Sequence, residues 1–546
     1  MKIALAQLNY HIGNFEYNTK KIIDHIEQAK AKGADLVVFA ELAICGYPPR
    51  DFLEFDEFID LCEKAAREIA AHCKGISCIV GLPVKNDILA GKDLYNAAYF
   101  IEDGRLKRVV KKALLPNYDV FDEYRYFEPA SHFECVDFKG IKIAVTICED
   151  LWNINNNPLY VAEPMDELIR QKPKLMINIA ASPFSYCHDD ERVEVLSNNA
   201  KKYNLPLLYV NQVGAQTEII FDGGSLAFDA KGNLIDEMPY FKEELRIYEF
   251  ADNVIAGHRP VQHQTVPDIE QIYEALVLGI KDYFAKSGFS KAVLGLSGGI
   301  DSALVCALAC RALGPENVMA VLMPSKYSSD HSIEDALDLV KNIGCQHEII
   351  PIKEAADAFD SMMAPAFKGL SFNLTEENIQ ARCRGIIVMA MSNKFGYILL
   401  NTSNKSECAV GYGTLYGDMC GAIGVIGDVY KTQVYQLAHY INKDGILIPE
   451  NSIVKPPSAE LRPGQKDSDS LPDYDILDKI LHQYIELKQS STAIIAQGYD
   501  EALVKRIIKM VNTAEFKRYQ TPPILRVSPK AFGMGRRMPI VGKYLS

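Results

Sequence analysis

The strongest constraint on the fold is the stretch KAVLGLSGGIDSALVCALACRAL, residues 291–313. An apolar run at 292–296 predicts a buried parallel strand, and an Ala- and Leu-rich pattern predicts a helix from about Asp301. The glycines between them let the backbone approach a ligand closely, and the helix start presents unpaired N–H groups. We therefore expect a phosphate-binding turn. An ordinary strand-to-helix turn is the alternative, and a Walker A loop is disfavoured because no lysine follows the glycines.

The centre of this stretch, SGGIDS at 297–302, resembles the pyrophosphate loop of the ATP pyrophosphatases. Those enzymes release pyrophosphate from ATP and leave AMP on a substrate oxygen. The resemblance implies an adenine nucleotide α hydrolase-like domain around the loop, with Mg²⁺ bound at Asp301. It also implies four contacts to pyrophosphate, at Ser297, Gly298, Gly299 and Ser302.

Length and charge narrow the class of protein. The chain has 546 residues, more than the roughly 250–300 at which single cores stop growing, so we expect two domains. The net charge of −13 disfavours a general nucleic-acid binder, which needs clustered Lys and Arg. No apolar run of the sequence reaches the length of a membrane span. The first residues, MKIALAQLN, predict a strand and not a targeting segment.

The 13 cysteines predict free thiols. They are scattered without C-x-x-C pairs, and an odd number does not form a complete disulfide framework. Cys306 and Cys310 fall on apolar helix faces, which predicts buried thiols. We therefore expect a protein of the reducing cytoplasm whose partners are small molecules, with no nucleic acid and no membrane among them.

Strand and helix patterns alternate over residues 1–250, which predicts an α/β layer domain. Three reactive side chains stand at or just past predicted strand ends, where active sites of such sheets gather: Glu41, Lys112 and Cys148. A carboxylate base, an ammonium for the oxyanion and a thiolate nucleophile are what amide hydrolysis through a thioester needs. Taken singly, the three are explained as well by a paired carboxylate, a surface cation and an inert core thiol.

Three segments of this half resemble, in order and spacing, the catalytic segments of the nitrilase or carbon–nitrogen hydrolase superfamily: FAELAICGYPPRD, KKALLPNYDVFDEYRYF and ICEDLW. The resemblance implies a nitrilase-like α-β-β-α sandwich. It also implies that Glu41 is the general base, Lys112 the oxyanion cation and Cys148 the nucleophile. Glu123 matches a second carboxylate of the superfamily, which supports the lysine.

Within that superfamily the glutaminase domains are the most similar to this half. The likeness implies that Tyr118 and Ser182 contact glutamine. A third contact would fall on His188, where those domains usually have a lysine. A purely structural histidine is the alternative at this position.

The second half of the chain begins after a stretch without periodicity at 253–267, which predicts a linker between a first domain, 1–252, and a second, 268–546. Strand and helix patterns alternate again beyond it, with a long helix predicted at 376–395. Such alternation predicts a doubly wound parallel sheet, whose ligands bind beyond the carboxyl ends of the strands. A Pro-rich stretch at 456–475 predicts a mobile loop of the kind that closes over sites.

Two further segments, ENIQARCRG and NTSNKSE, make the whole chain similar to the glutamine-dependent NAD⁺ synthetases. In that family the second domain uses ATP and Mg²⁺ to adenylate the nicotinate carboxylate of deamido-NAD⁺, and ammonia from the glutaminase domain then displaces AMP. The resemblance implies deamido-NAD⁺ contacts at Asn378, Glu407 and Lys517, and Mg²⁺ ligands at Asp301 and Glu407. It implies ATP contacts at Gly295, Leu296, Ser297, Gly298, Gly299, Ile300, Asp301, Ser302, Thr402 and Lys431.

Three alternatives stay open at this point. The chain could adenylate and amidate a different carboxylate or carbonyl substrate. It could be a regulatory protein that senses nucleotides through inactive sites, although the intact motifs count against that. It could also be a nitrilase joined to an unrelated domain, which predicts no requirement for ATP. Members of the synthetase family form homo-oligomers, and we expect a homo-oligomer here.

Overall fold

The structure, a computed structural model, describes residues 1–88, 90–154 and 159–544. The chain divides into two compact units, Met1–Val266 and Pro267–Ser546. Each unit has a hydrophobic core of its own. Within the described residues no helix combines the length and apolar character that a membrane crossing requires.

Strands and helices alternate along the first unit. Its strands are β1 (Lys2–Gln7), β2 (Leu36–Val38), β3 (Ser77–Lys85), β4 (Leu94–Glu102), β5 (Arg105–Lys111), β6 (Val136–Phe138), β7 (Ile141–Ile147), β8 (Leu175–Ala180), β9 (Leu207–Asn211), β10 (Val213–Gln216), β11 (Ile219–Asp222), β12 (Leu226–Phe228), β13 (Leu234–Glu237), β14 (Glu244–Ala251) and β15 (Val254–Ala256). Its α-helices are α1 (Phe15–Ala31), α2 (Asp56–His72), α3 (Pro164–Leu168) and α4 (His188–Tyr203).

These strands form two large sheets and a hairpin. One sheet has the order β15-β14-β1-β2-β3-β4-β5 and the other the order β13-β12-β9-β8-β7-β6, while β10 and β11 pair with each other. Three neighbouring strands run parallel in each large sheet, β1-β2-β3 in one and β7-β8-β9 in the other. Glu41 lies beyond the end of β2, and Cys148 directly follows β7.

The core of the first unit lies between its two large sheets. Ile3, Val38 and Phe100 of the first sheet share one apolar cluster with Val145 and Ile177 of the second. Helices α1 and α2 pack against the first sheet, and α3 and α4 pack against the second. The predicted α-β-β-α sandwich is confirmed.

Helix α2 illustrates how the sequence specifies this layering. Its buried residues Ile59, Cys62, Ala66 and Ile69 recur at intervals of three and four, so that one face of the helix is apolar. That face packs on β3, while the opposite face carries polar residues. Asp56 in the first turn complements the positive end of the helix dipole.

The second unit contains a smaller sheet and more helices. Its strands are β16 (Ala292–Gly295), β17 (Val318–Leu322), β18 (Gln346–Ile349), β19 (Ile398–Asn401) and β20 (Ile423–Gly424). Its α-helices are α5 (Asp268–Ser287), α6 (Ile300–Leu313), α7 (Asp330–Ile343), α8 (Lys353–Met363), α9 (Leu374–Phe395), α10 (Lys405–Val410), α11 (Lys431–Ile441), α12 (Glu450–Val454), α13 (Tyr474–Ile485), α14 (Ser491–Ile495), α15 (Glu501–Thr513) and α16 (Glu515–Arg518).

The sheet of the second unit has the order β18-β17-β16-β19-β20, and its strand pairs are all parallel. The chain builds outward from β16 in one direction and then from β19 in the other. In a doubly wound sheet this reversal leaves a crevice beyond the carboxyl ends of the two central strands. The predicted doubly wound parallel sheet is confirmed, and the crevice lies beyond Gly295 and Asn401.

The predicted elements around the glycine turn match the structure closely. The strand expected at 292–296 is β16, the helix expected from Asp301 is α6, and the long helix expected at 376–395 is α9. Asn373 caps α9 by accepting from the backbone N–H of Thr375. The stretch 253–267 contains β15, which pairs antiparallel with β14.

Candidate active sites

Glu41 and Lys112 meet at the carboxyl ends of the first sheet. Glu41 lies past β2 and Lys112 directly follows β5; both side chains are fully buried, and Lys112 Nζ is 2.7 Å from Glu41 Oε1. The other oxygen of Glu41 accepts from the backbone N–H of Ala181 at 3.0 Å. The predicted base and the predicted cation are therefore in direct contact.

A second carboxylate completes the surroundings of Lys112. Its Nζ donates to both oxygens of Glu123, at 2.8 and 2.9 Å. Glu123 also accepts from Tyr47 Oη at 2.8 Å, and Asn96 donates to Glu41 at 2.7 Å and to Glu123 at 3.2 Å. The ammonium is therefore held between two carboxylates whose other lone pairs are satisfied.

This pairing keeps Lys112 charged in a dry environment. Burial by itself lowers the pKa of the ammonium, but the charges of Glu123 and Glu41 raise it well above its ordinary value. Burial and the charge of Glu41 raise the pKa of Glu123, while Lys112 lowers it. A permanent cation is one of the groups that can stabilise a developing oxyanion.

Cys148 joins this cluster from the second sheet. Burial raises the pKa of its thiol well above the ordinary value, the charge of Glu41 raises it further, and Lys112 opposes the change. The residue has a positive φ of 44°, a conformation that non-glycine residues seldom adopt and that is typical of nucleophiles on a sharp turn after a strand. Cys148 is therefore a neutral thiol close to both predicted catalytic partners.

Asp150 ties the loop after Lys112 to the turn of Cys148. One of its oxygens accepts from the backbone N–H groups of Ala113 and Leu114, both at 2.9 Å, and the other accepts from Ile147 at 3.0 Å. Burial raises the pKa of Asp150 to about 6, against the effect of these N–H donors. The carboxylate thus holds the segments that carry the cation and the thiol in one arrangement.

The predicted glutamine contacts lie around the same turn. Ser182 Oγ and His188 Nε2 are 3.3 Å apart, and the imidazole of His188 stacks on Trp152 with 5.1 Å between ring centroids. Tyr118 Oη donates to Glu149 Oε1 at 2.9 Å, and Tyr160 donates to the same oxygen at 3.0 Å. The structure therefore brings Ser182 and His188 together and joins Tyr118 to the residue that follows Cys148.

The second unit has a cavity of about 300 Å³ beyond the carboxyl ends of β16 and β19. The predicted ATP and metal residues that line it are Gly295, Leu296, Ser297, Gly299, Ile300, Asp301, Ser302, Thr402, Glu407 and Lys431. This position, at the reversal of strand order, is where open parallel sheets bind ligands.

The turn at 297–302 is held by its own side chains. Ser302 Oγ lies 3.1 Å from Ser297 Oγ and accepts from the backbone N–H of Ser297 at 3.2 Å. Gly298 has φ +80°, and a Cβ there would overlap the carbonyl oxygen of Ser332. Only glycine fits at this position, because the backbone of the turn touches the backbone of α7.

Two carboxylates and one ammonium face each other in the cavity. Lys431 forms an ion pair with one oxygen of Asp301, and Asn404 donates to the other at 2.8 Å. Burial and the charge of Asp301 raise the pKa of Glu407 well above its ordinary value, while Lys431 opposes the change. Burial lowers the pKa of Lys431, but Asp301 and Glu407 raise it above its ordinary value.

This donor set fits Mg²⁺. The ion prefers carboxylate oxygens together with substrate phosphates, and Asp301 and Glu407 both line the cavity next to the glycine turn. Burial and, next to it, the charge of Asp301 raise the pKa of Glu407, and a divalent cation would offset the repulsion between the two carboxylates.

Asn378 and Lys517 are joined by another loop, just after α10. Lys517 Nζ donates to the carbonyl oxygens of Gly411 and Gly413 at 2.7 and 2.8 Å, and Asn378 Oδ1 accepts from Thr414 Oγ1 at 2.7 Å. Neither side chain lines the cavity that contains the glycine turn. The loop directly follows α10, the helix that carries Glu407. All three predicted deamido-NAD⁺ residues therefore either lie on the segment 405–414 or form hydrogen bonds with it.

Comparison with known proteins decides the family. The carbon-nitrogen hydrolase model matches residues 2–259, and the NAD synthase model matches residues 272–521. The glutamine-dependent NAD(+) synthetase of Synechocystis sp. is 47% identical over 547 residues, which cover 98% of either chain. That of Thermotoga maritima is 41% identical over 581 residues, which cover 100% of this chain and 99% of its own. The chain belongs to the glutamine-dependent NAD(+) synthetases.

A solved synthetase agrees with this assignment. The structure of glutamine-dependent NAD+ synthetase from Acinetobacter baumannii in complex with adenosine diphosphate is 39% identical, has a TM-score of 0.78, and matches over 99% of this chain and 98% of its own. The synthetase from Cytophaga hutchinsonii, 24% identical with a TM-score of 0.83, shares the fold.

Several side chains of this synthetase that shape the sites were not predicted from the sequence. Asn96 lies in the middle of the buried strand β4, where a polar residue among apolar ones is itself a signal of function. Asn404, inside NTSNKSE, fixes Asp301. Tyr47 falls inside FAELAICGYPPRD, but its contact with Glu123 depends on the fold. Tyr160 lies in an ordinary context that no sequence pattern marks.

The loop after α12 also contributes more than its composition indicated. Lys455 and Glu460 form an ion pair at 3.3 Å. Glu460 accepts from Ser329 Oγ and Ser332 Oγ at 3.0 and 2.7 Å. Residues 455–461 line the cavity in this synthetase, so the loop forms part of its wall.

Proposed function

We propose that this chain makes NAD⁺ from deamido-NAD⁺, ATP and glutamine, with AMP, pyrophosphate and glutamate as the other products. The observation that carries the proposal is that one chain holds two kinds of site. One is a buried thiol with a carboxylate and an ammonium, at Cys148, Glu41 and Lys112. The other is a pyrophosphate-type turn at 297–302 on a cavity at the reversal of a doubly wound sheet. The relatives are named glutamine-dependent NAD(+) synthetases, which agrees with the use of glutamine and the formation of NAD⁺.

In the first site, the sulfur of Cys148 attacks the carboxamide carbon of glutamine. Because its pKa is raised, the thiol needs a base at that moment, and Glu41 accepts the proton. The ammonium of Lys112 stabilises the negative charge that develops on the carboxamide oxygen. Glu41 returns the proton to the departing nitrogen, ammonia leaves, and a Cys148 thioester remains. Water then attacks the thioester, and glutamate is released.

Tyr118, Ser182 and His188 would orient glutamine for this attack. The Ser182–His188 contact is supported by the stacking of His188 on Trp152. The hydroxyl of Tyr118 is oriented by its hydrogen bond to Glu149. Burial raises the pKa of Glu149.

In the second site, an oxygen of the nicotinate carboxylate attacks the α-phosphorus of ATP, and pyrophosphate leaves. The N–H groups at the start of α6 and the ammonium of Lys431 lie where they can stabilise the departing pyrophosphate. Asp301 and Glu407 would hold Mg²⁺, which supplies charge neutralisation for the phosphates when bound. Gly295, Leu296 and Thr402 would border the adenosine side of the cavity.

Ammonia then attacks the adenylated carboxyl carbon, and AMP leaves with its bonding electrons. Adenylation is needed because a free carboxylate has no adequate leaving group. Asn378 and Lys517 would hold deamido-NAD⁺ in place through the loop 411–414 that they support. Burial lowers the pKa of Lys517.

We also propose that the enzyme is a homo-oligomer of the cytoplasm. All four residues of the edge strand β18 are exposed, and large apolar side chains on and beside α8 and α9 are exposed too: Phe359, Met362, Leu370, Phe372, Leu374, Ile386, Met389 and Phe395. Helices α8 and α9 pack against each other, and exposed apolar side chains along two neighbouring helices are typical of an interface. The 13 cysteines are all described and none is in a disulfide, which fits a reducing compartment.

The proposal is tested by measuring NAD⁺ formation from deamido-NAD⁺ and ATP, with glutamine or ammonium supplied separately. We expect both nitrogen sources to support synthesis, with one AMP and one pyrophosphate formed per NAD⁺. Pyrophosphate release with other carboxylates but not with deamido-NAD⁺ would show that the acceptor is a different molecule. Glutamine hydrolysis with no use of ATP would contradict the role assigned to the second unit.

A further inference from the structure

Three cysteines of the second unit converge at one point although they are far apart in sequence. Cys306 and Cys310 lie one turn apart on α6, and Cys345 lies between α7 and β18. Their sulfurs are all within 4.8 Å of one another, and those of Cys306 and Cys345 are 3.9 Å apart. Among the described residues, this is the group of three or more potential metal ligands whose ligand atoms all lie within 4.8 Å of one another.

The geometry of the three sulfurs suits a metal ion. The 3.9 Å between the sulfurs of Cys306 and Cys345 is the spacing of two thiolates that share one ion at about 2.3 Å, the length of a zinc–thiolate bond. The sulfur of Cys310 lies within 4.8 Å of both. The three side chains are buried, with exposed fractions of 0%, 7% and 7% for Cys306, Cys310 and Cys345. Water therefore has little access to compete for the ion.

We propose that Cys306, Cys310 and Cys345 bind one thiophilic metal ion of closed d¹⁰ shell, Zn²⁺ or Cu(I). Thiolates select such ions over Mg²⁺, which prefers oxygen ligands. Binding converts the three thiols to thiolates and releases their protons, so affinity rises with pH. The site is separate from the Mg²⁺ proposed at Asp301, and the reaction does not use it.

The position of the cluster gives the ion a structural role. The first turn of α6 carries Asp301 and Ser302, and the next two turns carry Cys306 and Cys310. An ion shared with Cys345 would fasten α6 to the segment after α7, the helix whose backbone touches the glycine turn. Because an ion that binds only the folded protein stabilises it, occupancy should slow local opening of α6.

The test uses the full-length chain with Cys148→Ala, so that the catalytic thiol does not bind the probe. The reduced, metal-free protein is titrated with Zn²⁺ or with Cu(I) in the presence of a weak chelator, and Cd²⁺ is used to read thiolate-to-metal charge transfer by absorbance. We expect one ion per chain and slower hydrogen exchange in α6. X-ray absorption should show sulfur ligands at about 2.3 Å, and elemental analysis of the chain purified without chelator identifies the metal.

Variants of the cluster supply the decisive comparison. Cys306→Ala and Cys345→Ala should each weaken binding at least about 100-fold and abolish the charge-transfer band. Cys310→Ser, which replaces the thiol with a hydroxyl of similar size, provides a milder variant if those two fail to fold. The matched control is Cys383→Ala, another cysteine of the second unit with an exposed fraction of 2%, which should bind the ion like the parent chain.

Two results would overturn the proposal. The first is binding by the parent chain that is no tighter than binding by the folded Cys306→Ala or Cys310→Ser variant. The second is a Cys306–Cys345 disulfide, found by peptide mapping after treatment with oxidised glutathione, in a chain that binds no metal when reduced. That result would assign the cluster to thiol oxidation, with two electrons and two protons passing to glutathione.

Discussion

At Cys148, burial determines which chemistry the residue can perform. The thiol is 5% exposed and lies near the charge of Glu41, and both conditions raise its pKa. Many reactive cysteines have the opposite surroundings, in which nearby cations lower the pKa and keep a thiolate ready. In the proposed mechanism the thiolate forms only when Glu41 removes the proton, so we expect the resting thiol to react slowly with electrophiles.

Replacing Glu41 with Gln should therefore have two opposite effects. Loss of the negative charge removes one cause of the raised pKa, so the pKa of the Cys148 thiol should fall. Loss of the base should lower glutamine-dependent synthesis by about 10²–10⁴-fold. The pKa is measured from the pH dependence of iodoacetamide alkylation at Cys148, read by peptide mass spectrometry, with the exposed Cys187 as internal standard.

The control for this substitution is Glu243→Gln, which removes another ion-paired glutamate, bonded to Lys21 at 2.6 Å. It should change neither the alkylation profile nor the rate. A Glu41→Gln enzyme that kept full glutaminase activity would show that Glu41 only positions Lys112.

Asp301→Asn tests the second site. The substitution keeps the size of the side chain but removes the charge that pairs with Lys431 and that would hold Mg²⁺. We expect NAD⁺ formation to fall by about 10²-fold or more with glutamine and with ammonium alike. Asp338→Asn on the exposed face of α7 is the matched control and should be neutral. Loss with glutamine alone would contradict the assignment.

Some residues of the candidate active sites can be predicted from the sequence, and others cannot. Glu41 and Cys148 stand out because each is a reactive side chain at the end of an apolar run, and Lys112 stands out because it lies just before the Leu-Leu-Pro turn of KKALLPNYD. Asn96 bridges Glu41 and Glu123, but it reaches them only because β3 and β4 pair in one register, which the sequence does not reveal. Contacts that depend on register or on a tertiary crossing cannot be read from local pattern.

At the scale of elements, the turn at 297–302 depends on the packing of α6 beside α7. The strand, turn and helix were predictable, since their patterns are local. The contact of Gly298 with the carbonyl oxygen of Ser332 was not, because it needs the position of a helix some thirty residues further on. The same holds for the loop at 455–461, because its composition predicted a loop but not the hydrogen bonds that Glu460 accepts from Ser329 and Ser332.

Comparison of Gly298→Ala with Gly344→Ala should separate the cost of a steric overlap from the cost of a positive φ in a non-glycine residue. Gly344→Ala is the matched control, because Gly344 has φ +81° and no atom within 4 Å of the point where a Cβ would lie, whereas Gly298 has φ +80° and meets Ser332. Gly344→Ala should cost about 1 kcal/mol in the free energy of unfolding. Gly298→Ala should cost about 3 kcal/mol or displace the turn, and synthesis should fall with both nitrogen sources.

Urea unfolding and the ammonium-dependent rate together measure this difference. Equal losses in the two variants would mean that the turn moves freely away from Ser332 and that the contact carries no constraint.

At the scale of the whole molecule, the two units carry chemistry that can be separated. Cys148→Ala should abolish glutaminase activity and glutamine-dependent synthesis, while ammonium at high concentration still yields NAD⁺. Removal of one sulfur should cost roughly 1 kcal/mol of stability. The two rates are measured on the same preparation. Retained glutamine-dependent synthesis would contradict the nucleophile, and loss of ammonium-dependent synthesis in a folded variant would show tight coupling of the two units.

The pairing of Lys431 with Asp301 has a consequence for the way in which Mg²⁺ and ATP bind. Mg²⁺ bound at Asp301, as proposed, would have to displace the ammonium of Lys431 from one oxygen of this carboxylate. Mg²⁺ that arrives with ATP would also bring phosphates to which Lys431 can turn. We therefore expect the rate of NAD⁺ formation at limiting ATP to follow the concentration of the magnesium–ATP complex and not that of free Mg²⁺.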